Sequence, residues 1–202
     1  KKKPASHAAA RRHLANADPG MRRIIARVGP CLLKRYPRYF VTLCDSIVSQ
    51  QLSSRVAEVI FKRFEALYSH DRPTPQRVAS TPVPRLRTAG LSGQKARYLK
   101  ELAKGFTSGK IRPHRFARQS NEEIIETLTA IHGIGRWTAE MFLMFSLNRL
   151  DVLPVDDLGI KKAIRQAYGL RVLPKPATIR RIGRPWHPYE TIASWYLWRS
   201  LR

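Results

Sequence analysis

Apolar residues recur at helical spacing along almost the whole chain, and the breaks between runs carry cap and turn residues. Asp18-Pro19-Gly20 reads as a helix start, followed by Met21, Ile24, Ile25 and Val28 on one face. Pro30 and Pro37 bracket a connection to a helix over 40–48. Val56, Ile60, Phe64 and Leu67 form a stripe that predicts one buried face for a helix from Ser53 to Tyr68. Residues 69–84 hold four prolines and predict a loop with at most one short helix. Ser92-Gly93 opens a helix with Leu99, Leu102, Ala103 and Phe106 on its apolar side, and residues 109–119 form a connection. Ser120-Asn121-Glu122-Glu123 is a capping box. The helix it starts buries Ile124, Ile125 and Leu128 and stops near Ile131; the next runs from Arg136 to about Asn148. Further helices are predicted from Asp157 to Tyr168 with Ile160 and Ile164 inward, from Thr178 to Ile182 ending at Gly183, and from Tyr189 to Leu201. Residues 1–16 read as a loose basic tail leading into the first helix. No alternating strand pattern and no internal repeat is visible, so the expected fold class is all-α with no β domain.

Composition narrows the partners. A chain of 202 residues suffices for one large core or two small lobes. Its net charge of +24 and pI near 11.2 call for a polyanion, either nucleic acid or an anionic membrane surface. The charge is uneven: +10 over residues 1–40, +5 over 41–160 and +9 over 161–202. If the two termini pack together, they form one basic lobe beside a more neutral one. No apolar run approaches the roughly 20 residues of a membrane span, and no signal peptide is visible, so the expected location is the cytoplasm, with the nucleoid. Cys31 and Cys44 make no metal pattern and are expected to be buried thiols.

Two short segments carry the candidate chemistry. Gly133-Ile134-Gly135 lies between two helical patterns, and its glycines permit positive φ and close backbone approach. Its amides fall at a helix N-terminus, where unpaired N–H groups attract an anion. A DNA phosphate suits that place and would be held without reading sequence. A lone Gly-x-Gly is more often an ordinary turn. Asp156-Asp157 follows Pro154 and precedes a helix, and an arbitrary Asp pair there is usually just an N-cap.

The pattern Leu128 to Met141 (LTAIHGIGRWTAEM), with Pro154 to Lys161 (PVDDLGIK) beyond it, resembles the helix-hairpin-helix DNA glycosylase superfamily, named for that hairpin, a Gly/Pro-rich loop and an Asp. The likeness is strongest to its bacterial 3-methyladenine branch. It extends to Ile47–Ser53 (IVSQQLS), Gly90–Leu102 (GLSGQKARYLKEL) and Trp186–Trp198 (WHPYETIASWYLW). The resemblance implies a two-lobed all-α fold with a catalytic cleft between a middle lobe of about 45–130 and a second lobe of 17–44 plus 131–202. It implies Asp157 as the catalytic carboxylate and Asp156 as a second, less critical one. An ionised Asp beside C1′ would stabilise an oxocarbenium-like transition state and orient water.

Relatives that also nick the strand carry a Lys where this chain has Trp137, so the resemblance implies base release alone. Trp137, Met141 and Trp198 match the base pocket, where a cationic methylated purine would stack on indole; Trp186 and Trp195 read as core. DNA contacts are implied for Gln50, Gln51 and Leu52, with Gln51 as the wedge that fills the gap left by an everted base, and for Gly133, Ile134, Gly135, Arg136 and Thr138. Glu190 stands where relatives often have Arg. With no cysteine after Cys44, no iron–sulfur cluster is implied. No side-chain metal site is implied either, although a monovalent cation on hairpin carbonyls near Thr129 and Ile131 fits the pattern. The expected partner is double-stranded DNA with damaged bases, bound by a monomer without a cofactor, in base excision repair. The rivals are a non-catalytic hairpin that recognises DNA shape and a glycosylase for a deaminated, oxidised or mismatched base.

Overall fold

A computed structural model describes residues 7–68, 70 and 72–202. Twelve α-helices follow in order among them: α1 (Ala8–Ala17), α2 (Pro19–Val28), α3 (Tyr39–Ser49), α4 (Ser54–Ala66), α5 (Pro75–Ser80), α6 (Val83–Arg87), α7 (Gly93–Thr107), α8 (Asn121–Thr129), α9 (Arg136–Phe145), α10 (Leu158–Ala167), α11 (Pro176–Gly183) and α12 (Glu190–Ser200). No strand occurs among the described residues, and no helix there is long and apolar enough to cross a membrane.

The chain divides into two compact units. One comprises residues 1–35 and 143–202, the other residues 36–142. These borders differ from the expected 44/45 and 130/131. All of α3 belongs to the middle unit because its apolar face packs on α4 and α7. The hairpin and most of α9 belong there too. The unit of the two termini carries +16 and the middle unit +8, so both are basic, the former twice as much.

The terminal unit is built around α12, which buries Thr191, Ile192, Ala193, Ser194, Tyr196 and Leu197 and so is covered on most of its faces by α1, α2 and α10. Leu14, Met21, Ile160, Ile164, Ile179 and Trp186 complete the core. Helix α1 corrects the expected loose tail. Three alanines favour helix from Ala8 onward, and the helix then buries Ala10 and Leu14; residues 1–6 lie outside the described residues. Asp18 caps α2: Oδ1 accepts the Gly20 and Met21 amides at 2.7 and 3.1 Å. Its Oδ2 accepts the Tyr168 hydroxyl at 2.6 Å and Trp186 Nε1 at 2.8 Å. Burial and the bond to Asp18 both push the Tyr168 phenol well up.

In the middle unit, Leu43, Cys44 and Ile47 of α3 and Leu99, Leu102 and Ala103 of α7 are fully buried. Two expectations fail here. The proline-rich stretch forms both α5 and α6, since a proline in the first helical turn removes an amide that has no partner there anyway. On α4 the buried face is Ala57 and Phe64, whereas Val56 is 45% exposed. The capping box of α8 forms as expected, with Ser120 and Glu123 each bonding the other's amide. Helix α9 ends three residues before the expected Asn148, which takes a left-handed φ of 59°. Cys44 is buried and Cys31 partly so, both as free thiols whose pKa burial raises.

Candidate active site

Asp157 is the N-cap of α10. Its Oδ1 accepts the Ile160 amide at 2.7 Å and the Trp198 indole Nε1–H at 2.8 Å. The first bond exists because the leading amides of a helix lack intrahelical acceptors. The second requires α12 to bring Trp198 against the first turn of α10, and Gly159 makes room. A Cβ on Gly159 would lie 2.9 Å from Trp198 Cδ1 and 3.0 Å from Asp157 Oδ1. Phe145 stacks on Trp198, with centroids 6.1 Å apart and planes 28° from parallel. The carboxylate is thus half-buried, with its orientation fixed by an amide and an indole. Asp156 points outward and pairs with Lys161 Nζ at 3.3 Å. The sequence patterns do not mark Gly159 or Phe145 as site residues. A glycine in the first turn of a predicted helix, where it costs about 1 kcal/mol against alanine, was the available signal for Gly159.

The second group of candidate residues lies in the middle unit. Of the two hairpin glycines, only Gly133 has a positive φ, at 85°. A Cβ there would lie 2.3 Å from the Tyr98 ring. Gly133 therefore answers to the packing of α7, not to a phosphate alone. Gly135 is exposed, immediately precedes α9, and a Cβ on it would meet nothing within 4 Å. The Ile134 side chain is buried and its amide bonds the Ile131 carbonyl at 3.1 Å, so neither projects from the hairpin. Thr138 is buried as well. Arg136 forms a two-bond pair with Glu122, at 2.7 and 2.8 Å, and approaches Glu140 at 3.3 Å. Its guanidinium thus ties α9 to α8; the Glu122 bonds raise the pKa of Arg136 and lower that of Glu122.

Glu101 fastens the hairpin from α7. It accepts the His132 amide at 3.2 Å, and His132 Nδ1 lies 2.9 Å from its Oε2. Burial pushes the Glu101 carboxyl up, but these His132 contacts outweigh it and the net shift is down. Trp137 is 50% exposed and Met141 is partly buried on the same helix. In the loop between α3 and α4, Gln51 is exposed with φ 55°. Gln50 turns inward, donating from Nε2 to the Gly133 carbonyl at 2.6 Å, and Leu52 is partly buried. In the terminal unit, Trp186 is fully buried, as expected of a core residue, and Trp195 packs against that core. Glu190 finds a local partner, with Oε1 3.0 Å from His187 Nδ1. Among the described residues no three His, Cys, Asp or Glu are grouped to hold a metal ion.

A capped Asp thus stands one helix beyond a Gly-x-Gly hairpin in an all-helical fold. The chain belongs to the HhH-GPD superfamily of base excision DNA repair proteins, whose sequence profile matches residues 44–188. It is 38% identical over 195 residues to DNA-3-methyladenine glycosylase 1 of Schizosaccharomyces pombe, covering 93% of this chain and 85% of that protein. Its structure is similar to that of the Schizosaccharomyces pombe 3-methyladenine DNA glycosylase in complex with abasic DNA, with a TM-score of 0.82, 38% identity and coverage of 95% and 96% of the two chains. It is also similar to a DNA-3-methyladenine glycosidase from Bacillus halodurans, with a TM-score of 0.88, 36% identity and coverage of 96% and 90%.

Proposed function

We propose that this protein is a monofunctional DNA glycosylase that hydrolyses the N-glycosidic bond of alkylated bases, of the 3-methyladenine and 7-methylguanine type, in double-stranded DNA. The observation that carries the reading is Asp157: a half-buried carboxylate held on one oxygen by the Ile160 amide and the Trp198 indole. The names of the similar proteins support the substrate class.

The chemistry follows from the substrate. A purine methylated at N3 or N7 is already cationic, so it leaves as a neutral base when the C1′–N9 bond breaks and takes the bonding pair. Positive charge then develops on the sugar, and the Asp157 carboxylate stabilises it. Water forms the new C1′–O bond and gives its proton to Asp157. The step asks for a carboxylate and a water, and we propose no cofactor. Trp137 offers no amine, so no Schiff base forms and the strand stays intact. We assign base-contacting roles to Trp137, Met141 and Trp198 individually, the two indole faces being suited to a cation. Asp156, exposed and paired to Lys161, is assigned a minor role.

DNA is held by its phosphates. Gly135 and the first turn of α9 present amides to one of them, and a monovalent cation on the carbonyls near Thr129 and Ile131 would add charge beneath it. Gln51 is the wedge. We propose a monomer acting on chromosomal DNA in the cytoplasm. The test is base release from duplexes that each carry one lesion. Release of 7-methylguanine and 3-methyladenine with an uncut abasic strand is expected; release of only oxidised or mismatched bases, or borohydride trapping of a protein–DNA adduct, would overturn the reading. Affinity should fall with salt at a log–log slope of about −3 to −6.

A further inference from the structure

Gln51 is strained. A left-handed φ of 55° in a non-glycine residue is unfavourable and persists only where the surroundings impose it. The Ser49–Leu52 turn, closed by the Leu52 amide on the Ser49 carbonyl at 3.3 Å, calls for that φ at its third residue, and a group on another helix braces the turn. Lys95 Nζ lies 2.7 Å from both the Val48 and the Gln50 carbonyl oxygens. Val48 belongs to the last turn of α3, whose carbonyls have no intrahelical donors. The Gln50 carbonyl is part of the peptide that leads into Gln51, so the ammonium pins the plane from which Gln51 departs. Lys95 sits in the first turn of α7, the positive end of that helix, where a cation is unfavourable. Its position is therefore not explained by α7 and is explained by the carbonyls it bridges. Burial lowers its pKa, as expected for an ammonium taken out of water.

A second tie leads to the hairpin. Gln50 Nε2 donates to the Gly133 carbonyl at 2.6 Å, and Gly133 is wedged against Tyr98 of α7. The residue before the wedge is thus fixed to the phosphate-binding turn, and both are referred to one helix.

We propose that Lys95 and Gln50 form a latch that sets the Gln51 wedge and joins it to the hairpin, with Lys95 a positioning residue for base eversion. The inference rests on the glycosylase reading above, with Gln51 as wedge. Grip on a phosphate and insertion of the wedge then occur as one movement.

The latch predicts a penalty that depends on how firmly the lesion is stacked. Lys95→Met keeps the stem and removes the ammonium; Gln50→Leu keeps most of the bulk and removes the amide. Single-turnover release of 7-methylguanine is measured from a fully paired duplex and from one in which the lesion is unpaired in a bulge. Each variant should lose about tenfold or more on the paired duplex and about threefold or less on the bulge, where eversion costs less. For Lys95→Met, affinity for lesion-free duplex should stay within about threefold, because the hairpin amides are intact. Equal penalties on the two substrates, or none, in both variants would overturn the latch. Gln51→Ala separates the two levels of the claim. If it shows no pairing-dependent loss, the wedge reading fails; if it shows one while Lys95→Met and Gln50→Leu do not, the latch alone fails. Should Lys95→Met unfold at the assay temperature, Gln50→Leu carries the same comparison.

Discussion

Asp18 and Asp157 open α2 and α10 with one pattern, Asp-x-Gly, and each accepts an indole N–H at 2.8 Å as well as the amides it caps. The glycines match too. A Cβ on Gly20 would lie 2.9 Å from Tyr168 and 3.0 Å from Asp18 Oδ1; a Cβ on Gly159 would lie 2.9 Å from Trp198 and 3.0 Å from Asp157 Oδ1. Each glycine lets the aromatic partner close over its carboxylate. The difference is accessibility. Asp18 is 6% exposed and spends both oxygens on four donors, whereas Asp157 remains half-exposed, with its indole and amide bonds both on Oδ1. A capped, indole-bound Asp is therefore not a catalytic group in itself. On the proposed reading, the same construction is a keystone when sealed and a reagent when half-exposed.

The comparison breaks most visibly at Asp18. Asp18→Ala leaves two amides, an indole and a phenol without their acceptor, which should cost about 3–5 kcal/mol and lower Tm by roughly 10 °C in a thermal melt. A loss below about 1 kcal/mol would mean that the four bonds are not what holds α2 to the terminal core. Gly159→Ala and Gly20→Ala sharpen the contrast. Both should push an aromatic ring off its carboxylate, but Gly20→Ala should show as about 1–3 kcal/mol of lost stability and Gly159→Ala chiefly as base release slowed by about tenfold. Equal activity losses in the two variants would erase the distinction drawn between the caps. Trp198→Phe keeps a ring and removes one donor, so we expect about 1 kcal/mol of destabilisation and a several-fold slower release, read by calorimetry beside kinetics.

The smallest effect lies outside both caps. Glu101 has a lowered folded pKa, so its hold on the His132 amide is fully present above the ordinary glutamate value of about 4.3 and is lost as pH falls through the folded value. Hydrogen-exchange protection of His132 should be level between pH 7 and 5 and decline below about 4; protection that stays level through about pH 3 would show that the Glu101 carboxylate does not hold the amide.

The caps were legible because capping is decided within four residues: Ser120 with Glu123, Ser92, Asp18 and Asp157 all declare themselves locally. The partners that give the two Asp residues different duties were not, because Trp186 is 168 residues from Asp18 and Trp198 is 41 from Asp157. The resemblance implies Arg136 as a DNA contact; its pairing with Glu122, a helix away, is not legible locally. Helices α5 and α6 were hidden by prolines that break a helix only when they fall inside it. Of the stripe on α4, tertiary packing kept Phe64, left Val56 exposed and buried Ala57 instead.

The central claim is that the carboxylate of Asp157 does the chemistry, and Asp157→Asn tests it with the least disturbance. Asn caps a helix about as well as Asp, so stability should stay within about 1 kcal/mol, and lesion-duplex affinity should hold within a few-fold. Single-turnover release of 7-methylguanine should fall by roughly 10²–10⁴-fold. Release within tenfold of the unmodified protein would contradict the account, and a dead Asp156→Asn beside a live Asp157→Asn would move the catalytic role to the neighbouring residue.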